Sequence, residues 1–138
     1  MIDERQILAA ADLLIGDFGG GRVADYFTRL APDATFLFHT APQRMGSRDA
    51  YRALWDRWVA DDGFRVLSCS SSNRAVHPLG PDVAVLLHDV ATRIETTAGQ
   101  EDLRERETIV FARRDGEWLV VHEHLSAAPA SADLEETA

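Results

Sequence analysis

The residues with the clearest chemical potential lie near the end of the chain, in the stretch EWLVVHEHLS at positions 117–126. His122 and His124 stand two residues apart around Glu123, and residues two apart on a β-strand point to the same side. Such a pair can bind zinc if a neighbouring strand supplies a third ligand, for which His88 is a candidate. Hydrogen-bonded packing and proton transfer are the alternatives. We expect no metal and no cofactor, and we keep His124 as a candidate catalytic residue.

Two carboxylates stand inside otherwise apolar strands, Asp89 in HDVAT and Glu107 in RETIVF. A carboxyl group in an apolar pocket has a raised pKa and can act as a general acid or base near neutral pH. Alternatively, an arginine such as Arg93, Arg104 or Arg106 neutralises each of them. We expect Asp89 to be the catalytic carboxylate, because it stands further from the charged hairpin end, and Glu107 to contact a ligand.

A histidine and three aromatic residues complete the candidate site. His39 ends the strand FLFHT and is either an acid/base group of a pocket or a surface histidine. Tyr26, Trp55 and Trp58 lie on the apolar stripes of helices, where aromatic residues usually form core. If the interior is partly hollow, we expect these three to shape an apolar ligand site.

Other reactive patterns are absent from the sequence. The serines at 68 and 70–72 lack the G-x-S-x-G turn of a nucleophile. The glycines at 19–21 follow a helix rather than a strand, which does not fit a dinucleotide-binding loop. Cys69 has no base beside it, and we interpret it as a packed strand residue.

Hydrophobic periodicity predicts three helices ahead of a sheet. The helices span about 3–17, 22–30 and 48–60, and a strand at 34–40 separates the second from the third. Ser47 is a good N-cap for the third helix. We expect the turn at Pro32 and Asp33 to end the second helix.

The remaining sequence predicts four long strands at 64–76, 83–97, 103–114 and 117–126, with a hairpin turn at Asp115-Gly116. Helices followed by antiparallel strands indicate an α+β fold with helices on one face of the sheet. Both faces of the strands are largely apolar, which favours a homodimer through the outer face. Glutamates at 101, 105, 107 and 117 interleave with arginines, which favours a solvated, ion-paired hairpin.

Length and charge limit the class of protein. A chain of 138 residues fits a single domain, and its net charge of −9 excludes a nucleic-acid partner. No apolar run reaches the roughly 20 residues of a membrane span. A single cysteine and the lack of an export signal favour the cytoplasm. We expect the small, acidic stretch 127–138 to be a flexible tail.

The stretch ETIVFARRDGEWLVVHEHLSAAP at 107–129, together with the order of elements, resembles the nuclear-transport-factor-2-like superfamily. It is closest in wording to the SnoaL-like proteins and to the association domain of calcium/calmodulin-dependent kinase II. The resemblance implies a cystatin-like cone, in which a curved antiparallel sheet wraps around three N-terminal helices and encloses a pocket. Dimers are common in this superfamily.

The resemblance also bears on which side of the last strand lines the pocket. Ile109 and Leu125, and Asp89 as a third position, occupy places where the kinase association domain carries pocket-facing arginines, so this pocket would be less basic. Ile109 and Leu125 would then contact a ligand, while His122 and His124 face away with Trp118 and Val120. A β-bulge in the last strand would reverse that assignment.

Two functions remain open, because the same cone hosts both enzymes and modules without chemistry. The first is a cofactor-independent isomerase, dehydratase or cyclase acting on a small apolar or polycyclic substrate, with Asp89 or His39 moving protons in a dry pocket. The second is a non-catalytic ligand-binding or oligomerisation module.

Overall fold

The protein is described here from residue 2 to residue 129 in a computed structural model. Three helices, α1 (Glu4–Gly19), α2 (Val23–Thr28) and α3 (Arg48–Asp62), precede or flank strand β1 (Leu30–Phe38). Four strands follow: β2 (Arg65–Pro78), β3 (Val83–Thr96), β4 (Gly99–Arg114) and β5 (Glu117–Ala127). The α+β class with helices on a curved sheet is confirmed.

Local sequence signals set the ends of the two long helices. Asp3 caps α1, because its side chain accepts a hydrogen bond from the backbone N–H of Arg5. Ser47 caps α3 in the same way through the N–H of Ala50. Gly63 ends α3 in the left-handed conformation that favours glycine, with φ of 64°.

The strands form one sheet in the order β1-β5-β4-β3-β2. Strands β2 to β5 pair antiparallel, whereas β1 joins β5 in parallel. The predicted boundary between α2 and β1 was wrong, because Leu30 already pairs with Val120. Pro32 is tolerated inside β1 because it falls at the register break between Leu30 and Thr35, where no ladder hydrogen bond is needed.

A bulge in β5 decides which of its side chains face the helices. His122 pairs with Val110 but Val120 pairs with Phe111, so Val121 is an extra residue on β5. Val120 and Glu123 are therefore both buried on the inner face, despite their odd spacing. The predicted grouping of Val120 with His122 and His124 was wrong for this reason.

The core lies between the inner face of the sheet and the helices. Its fully buried residues include Leu86, Ile109 and Phe111 from the sheet and Ile7 and Leu14 from α1. No helix within residues 2–129 is long and apolar enough to cross a membrane. The predicted tail begins inside β5, which includes Ala127, and residues 130–138 lie outside the described part of the chain.

The end of α1 packs directly on the backbone of β2. A Cβ atom added to Gly19 would lie 2.7 Å from the backbone nitrogen of Cys69, closer than real Cβ contacts come. At Gly16, one turn earlier, the nearest atom to an added Cβ would be a flexible arginine nitrogen at 3.6 Å. Only Gly19 is therefore required for the close approach of helix and sheet.

Replacing Gly19 with alanine is expected to lower the free energy of unfolding by roughly 1–3 kcal/mol, because the backbone of β2 must move. The matched substitution Gly16→Ala in the same helix should instead raise it by up to about 1 kcal/mol through helix propensity. Urea denaturation of both variants measures the difference. Equal effects of the two substitutions would contradict the close approach at Gly19.

Candidate functional site

The helices and the inner face of the sheet enclose a cavity of about 240 Å³. Its exposed lining residues Thr40 and Asp62 show that it reaches solvent. Most of its wall is apolar or aromatic: Leu14, Ile15, Phe18, Tyr26, Phe38, Tyr51, Trp55, Trp58, Phe64, Val90, Ile94, Leu103 and Leu125. The cavity therefore suits a small molecule with an apolar body.

Three glutamates line this apolar cavity. Glu105, Glu107, Ile109 and Phe111 follow one another at every second position of β4. Their side chains therefore all lie on the inner face of the sheet. Glu123 joins them from β5, opposite Ile109. The predicted ion-paired hairpin was wrong for Glu105 and Glu107, because period-two spacing turns them away from the exposed arginines between them.

Burial in this cavity raises the pKa of all three carboxyl groups. Removal from water raises the pKa of Glu107 to about 8, and the neighbouring charge of Glu105 adds to the effect. The pKa of Glu123 lies well above its ordinary range because of burial and the charge of Glu107. Burial also raises the pKa of Glu105, although a hydrogen bond from His39 opposes that shift. Glu107 is therefore protonated near neutral pH, and Glu123 holds its proton more strongly than an exposed glutamate does.

A chain of hydrogen bonds leads from Glu107 across the sheet. Its Oε1 atom lies 2.7 Å from Nε2 of His88 on β3, and Nδ1 of His88 lies 2.6 Å from Oγ of Ser71 on the edge strand β2. Burial lowers the pKa of His88 to about 4, and the charge of Arg74 contributes. Both groups are thus neutral near pH 7, so the pair is not an ion pair. Glu107, His88 and Ser71 are therefore joined by two hydrogen bonds that share the His88 ring.

His39 approaches the cavity from beyond the end of β1. Its Nε2 atom lies 2.5 Å from Oε2 of Glu105, and about one third of its side chain is exposed. This contact places His39 beside the cavity at a carboxyl group that lines it. The role predicted for His39 stays a prediction.

Two tyrosines and a cysteine are further polar residues of the wall, beside the threonines at 40, 92 and 96. The hydroxyl oxygens of Tyr26 and Tyr51 lie 3.0 Å apart inside the cavity wall, and burial raises the pKa of both. Burial also raises the pKa of Cys69 to about 12, so its thiol stays protonated. A protonated thiol is a poor nucleophile. Cys69 therefore contributes packing to the cavity rather than reactivity.

Two predicted catalytic residues, Asp89 and His124, lie on the opposite face of the sheet. They line an outer groove of about 330 Å³ together with Asn73, Arg106 and Ser126, and His88 and Glu107 also border this groove. Asp89 accepts a hydrogen bond from Asn73 there. The expectation that Asp89 stands in the internal pocket is corrected, because alternation along β3 turns His88 and Val90 inward and Asp89 outward.

The other predicted site residues divide between cavity and core. Tyr26, Trp55, Trp58, Glu107 and Leu125 line the cavity. Ile109 also faces inward, but it is fully buried in the core and is not part of the cavity wall.

The histidine pair of β5 faces away from the cavity. His122 shares a hydrogen bond between its Nδ1 and Oγ1 of Thr35 on β1, and His124 is exposed. Within residues 2–129, no cluster of three or more histidine, cysteine or acidic side chains has the geometry to hold a metal ion.

Sequence reasoning missed Glu105, Glu123 and Tyr51 as site residues. The spacing E-x-E-x-I-x-F at 105–111 carried the signal for Glu105, because two carboxylates then share a strand face with two large apolar residues. Glu123 stands two residues before Leu125, so the pocket position predicted for Leu125 carried the signal for Glu123.

Comparison with solved structures places the fold among cone-shaped proteins. A putative calcium/calmodulin-dependent protein kinase II association domain from Xanthomonas campestris is 23% identical, with 94% of this chain and 91% of that chain covered and a TM-score of 0.78. An NTF2-like protein of unknown function from Rhodospirillum rubrum is 19% identical, covering 89% and 98%, with a TM-score of 0.76. The association domain of CaMKII from C. elegans is 20% identical, covering 90% and 95%, with a TM-score of 0.71. Identities this low establish a shared fold alone.

Comparison with protein families gives a more specific result. The SnoaL-like domain family matches residues 7–131. This range includes the whole sheet, helices α2 and α3, and all of α1 except its first turn. The match therefore covers both the aromatic cavity and the strands that carry its three glutamates. The chain belongs to the SnoaL-like domain family.

Proposed function

We propose that the protein binds a small, largely apolar molecule in the internal cavity and moves protons on it without a cofactor. The observation that carries this proposal is Glu107, a carboxyl group that burial keeps protonated near neutral pH inside an aromatic cavity. The reaction class is that of isomerases, dehydratases and cyclases that act on apolar or polycyclic substrates. The cytoplasm remains the predicted location.

Glu107 takes the role first predicted for Asp89, because a general acid or base must reach the bound molecule. In its protonated form Glu107 gives a proton to the substrate, and in its ionised form it removes one. His88 and Ser71 provide a path by which the proton on Glu107 is exchanged towards the edge of the sheet. Because the pKa of His88 is low, the proton is not trapped there as an imidazolium ion.

Nitrobenzisoxazole tests this role without knowledge of the natural substrate. A base removes its carbon-bound proton, the N–O bond breaks, and a coloured cyanophenolate forms. We expect the protein to accelerate this reaction, with a rate that rises as pH increases and levels off above about 8, because only ionised Glu107 is a base. Glu107→Gln should reduce the catalysed rate by about 100-fold or more.

Glu101→Gln is the matched control for this assay. Glu101 lies on the same strand, is exposed and does not line the cavity, so the same substitution is made there away from the proposed base. We expect it to leave the rate unchanged. If Glu107→Gln reacts as fast as the unsubstituted protein, Glu107 is not the base.

We also propose that the outer face of the sheet forms a homodimer. Val83, Val85 and Val110 are only half-buried there, and Leu87 is 41% exposed. Apolar surface of this kind is stabilised when a second sheet covers it. Association domains among the similar structures support assembly as a property of this fold. Assembly without turnover is the second candidate function.

Leu87→Glu is expected to convert a dimer into a monomer, because it places a charge in the centre of the apolar face. Leu79→Glu is the control, since Leu79 is more exposed and lies outside the strands, between β2 and β3. Light scattering at micromolar concentration should give twice the monomer mass for the unsubstituted protein and for the control. A monomer mass for the unsubstituted protein would exclude this dimer.

A further inference from the structure

The charges around the cavity are of one sign. Glu105, Glu107 and Glu123 line it, and Asp62 stands at its opening. Among the lining residues in the described part of the chain, none is an arginine, lysine or histidine. The exposed arginines Arg104 and Arg106 alternate with the glutamates and point to the other face. Loss of a proton from any of these carboxyl groups makes the cavity negative, and no cationic side chain within residues 2–129 lines it, so the cavity favours cations over anions.

Glu123 has an oxygen atom that the protein does not satisfy. The residue is only 3% exposed, and its Oε2 atom is buried without a hydrogen-bond partner. Buried polar side-chain atoms normally have a partner in the protein or in a bound molecule. Because Glu123 lines the cavity, a ligand that donates a hydrogen bond would supply the missing partner.

The aromatic wall suits a cation as well as an apolar body. The rings of Phe18 and Tyr26 lie 5.1 Å apart, and both lie 5.8 Å from the ring of Trp55. Trp58 and Phe64 extend this wall, with ring centroids 5.3 Å apart. Aromatic faces attract cations through the negative charge of their π-systems, most strongly where water is excluded.

We infer that the cavity takes an apolar molecule that carries one protonated amine, with the ammonium group against Glu123 and Glu107. This inference rests on the proposed function, since it names the substrate class of the same site. The ammonium group donates to the unsatisfied Oε2 of Glu123, while the apolar body lies against the aromatic wall. A neutral alcohol can donate the same hydrogen bond, but only a cation gains an ion pair when the carboxyl group beside it loses its proton.

Binding of the amine is coupled to release of a proton. A cation beside a neutral carboxyl group favours loss of the carboxyl proton, because the resulting carboxylate pairs with the ammonium group. Only one O–H bond breaks, and the proton leaves to the solvent. The bound substrate thereby creates the ionised carboxylate that proton abstraction requires.

Three probes that share one ring test the inference on the full chain: phenethylamine, phenylethanol and phenylacetate. We expect calorimetry at neutral pH to give an affinity for the amine about tenfold or more above that for the alcohol, with phenylacetate the weakest. The binding enthalpy of the amine should also differ between two buffers of different ionisation enthalpy. The size of that difference should correspond to the release of up to about one proton for each amine bound. The fluorescence of Trp55 and Trp58 reports whether a probe enters the cavity.

Glu123→Gln should remove the preference for the amine, so that the affinities for amine and alcohol become equal. Glu101→Gln, the same substitution at an exposed position outside the cavity, should change neither. Equal affinities for amine and alcohol in the unsubstituted protein would overturn the inference without any need for a variant. Binding of neither probe would overturn the proposed ligand-binding function as well.

Discussion

The structure depends on a conflict between burial and charge at the inner face of the sheet. Three carboxyl groups face one apolar cavity, and no arginine or lysine lines it in the described part of the chain. The ionised form of a buried carboxyl is strongly disfavoured, so Glu107 keeps its proton near neutral pH and the pKa of Glu123 is raised. The free energy of unfolding should therefore fall as pH rises through the raised pKa of Glu107. Unfavourable arrangements of this kind are typical of functional sites.

Neighbouring elements are arranged around this constraint. His88 offers the Glu107 hydroxyl an acceptor that is itself neutral, which lets both groups remain buried. His39 forms a hydrogen bond with Glu105, which opposes the rise in the pKa of that carboxyl group. In the part of the chain that the structure describes, Glu107 and Glu123 have no histidine contact of this kind at the opening of the cavity. The bulge at Val121 turns Glu123 inward without removing Val120 from the core. Strands β4 and β5 thus carry both buried core residues and the carboxyl groups of the cavity.

The fold could be predicted largely from the sequence, because its signals are local. Periodicity located the helices, Asp115-Gly116 located a hairpin, and two apolar strand faces indicated a covered sheet. The end of α2 could not be predicted, because parallel pairing of Leu30 with Val120 depends on residues far apart in the chain. The site was predicted in part: the aromatic wall followed from helical stripes, whereas Asp89 was assigned to the wrong face.

The assignment of Asp89 failed because both HDVAT and RETIVF show a carboxylate inside an apolar strand. Only the pairing of β3 with β4 shows which side is inner, with His88 opposite Glu107 and Asp89 opposite Arg106. A pattern of period two identifies the residues that share a face, but it does not identify the face that meets the helices. Contacts between strands and helices supply that information.

The central claim is that burial keeps Glu107 protonated near neutral pH. Carbon-detected NMR of protein labelled at its glutamate carboxyl carbons measures this directly, and Glu107→Gln assigns the resonance by its disappearance. The account predicts a carboxyl resonance that titrates near pH 8, far above the value of about 4.3 for glutamate in model peptides. A Glu107 resonance that titrates with the exposed glutamates would contradict the account.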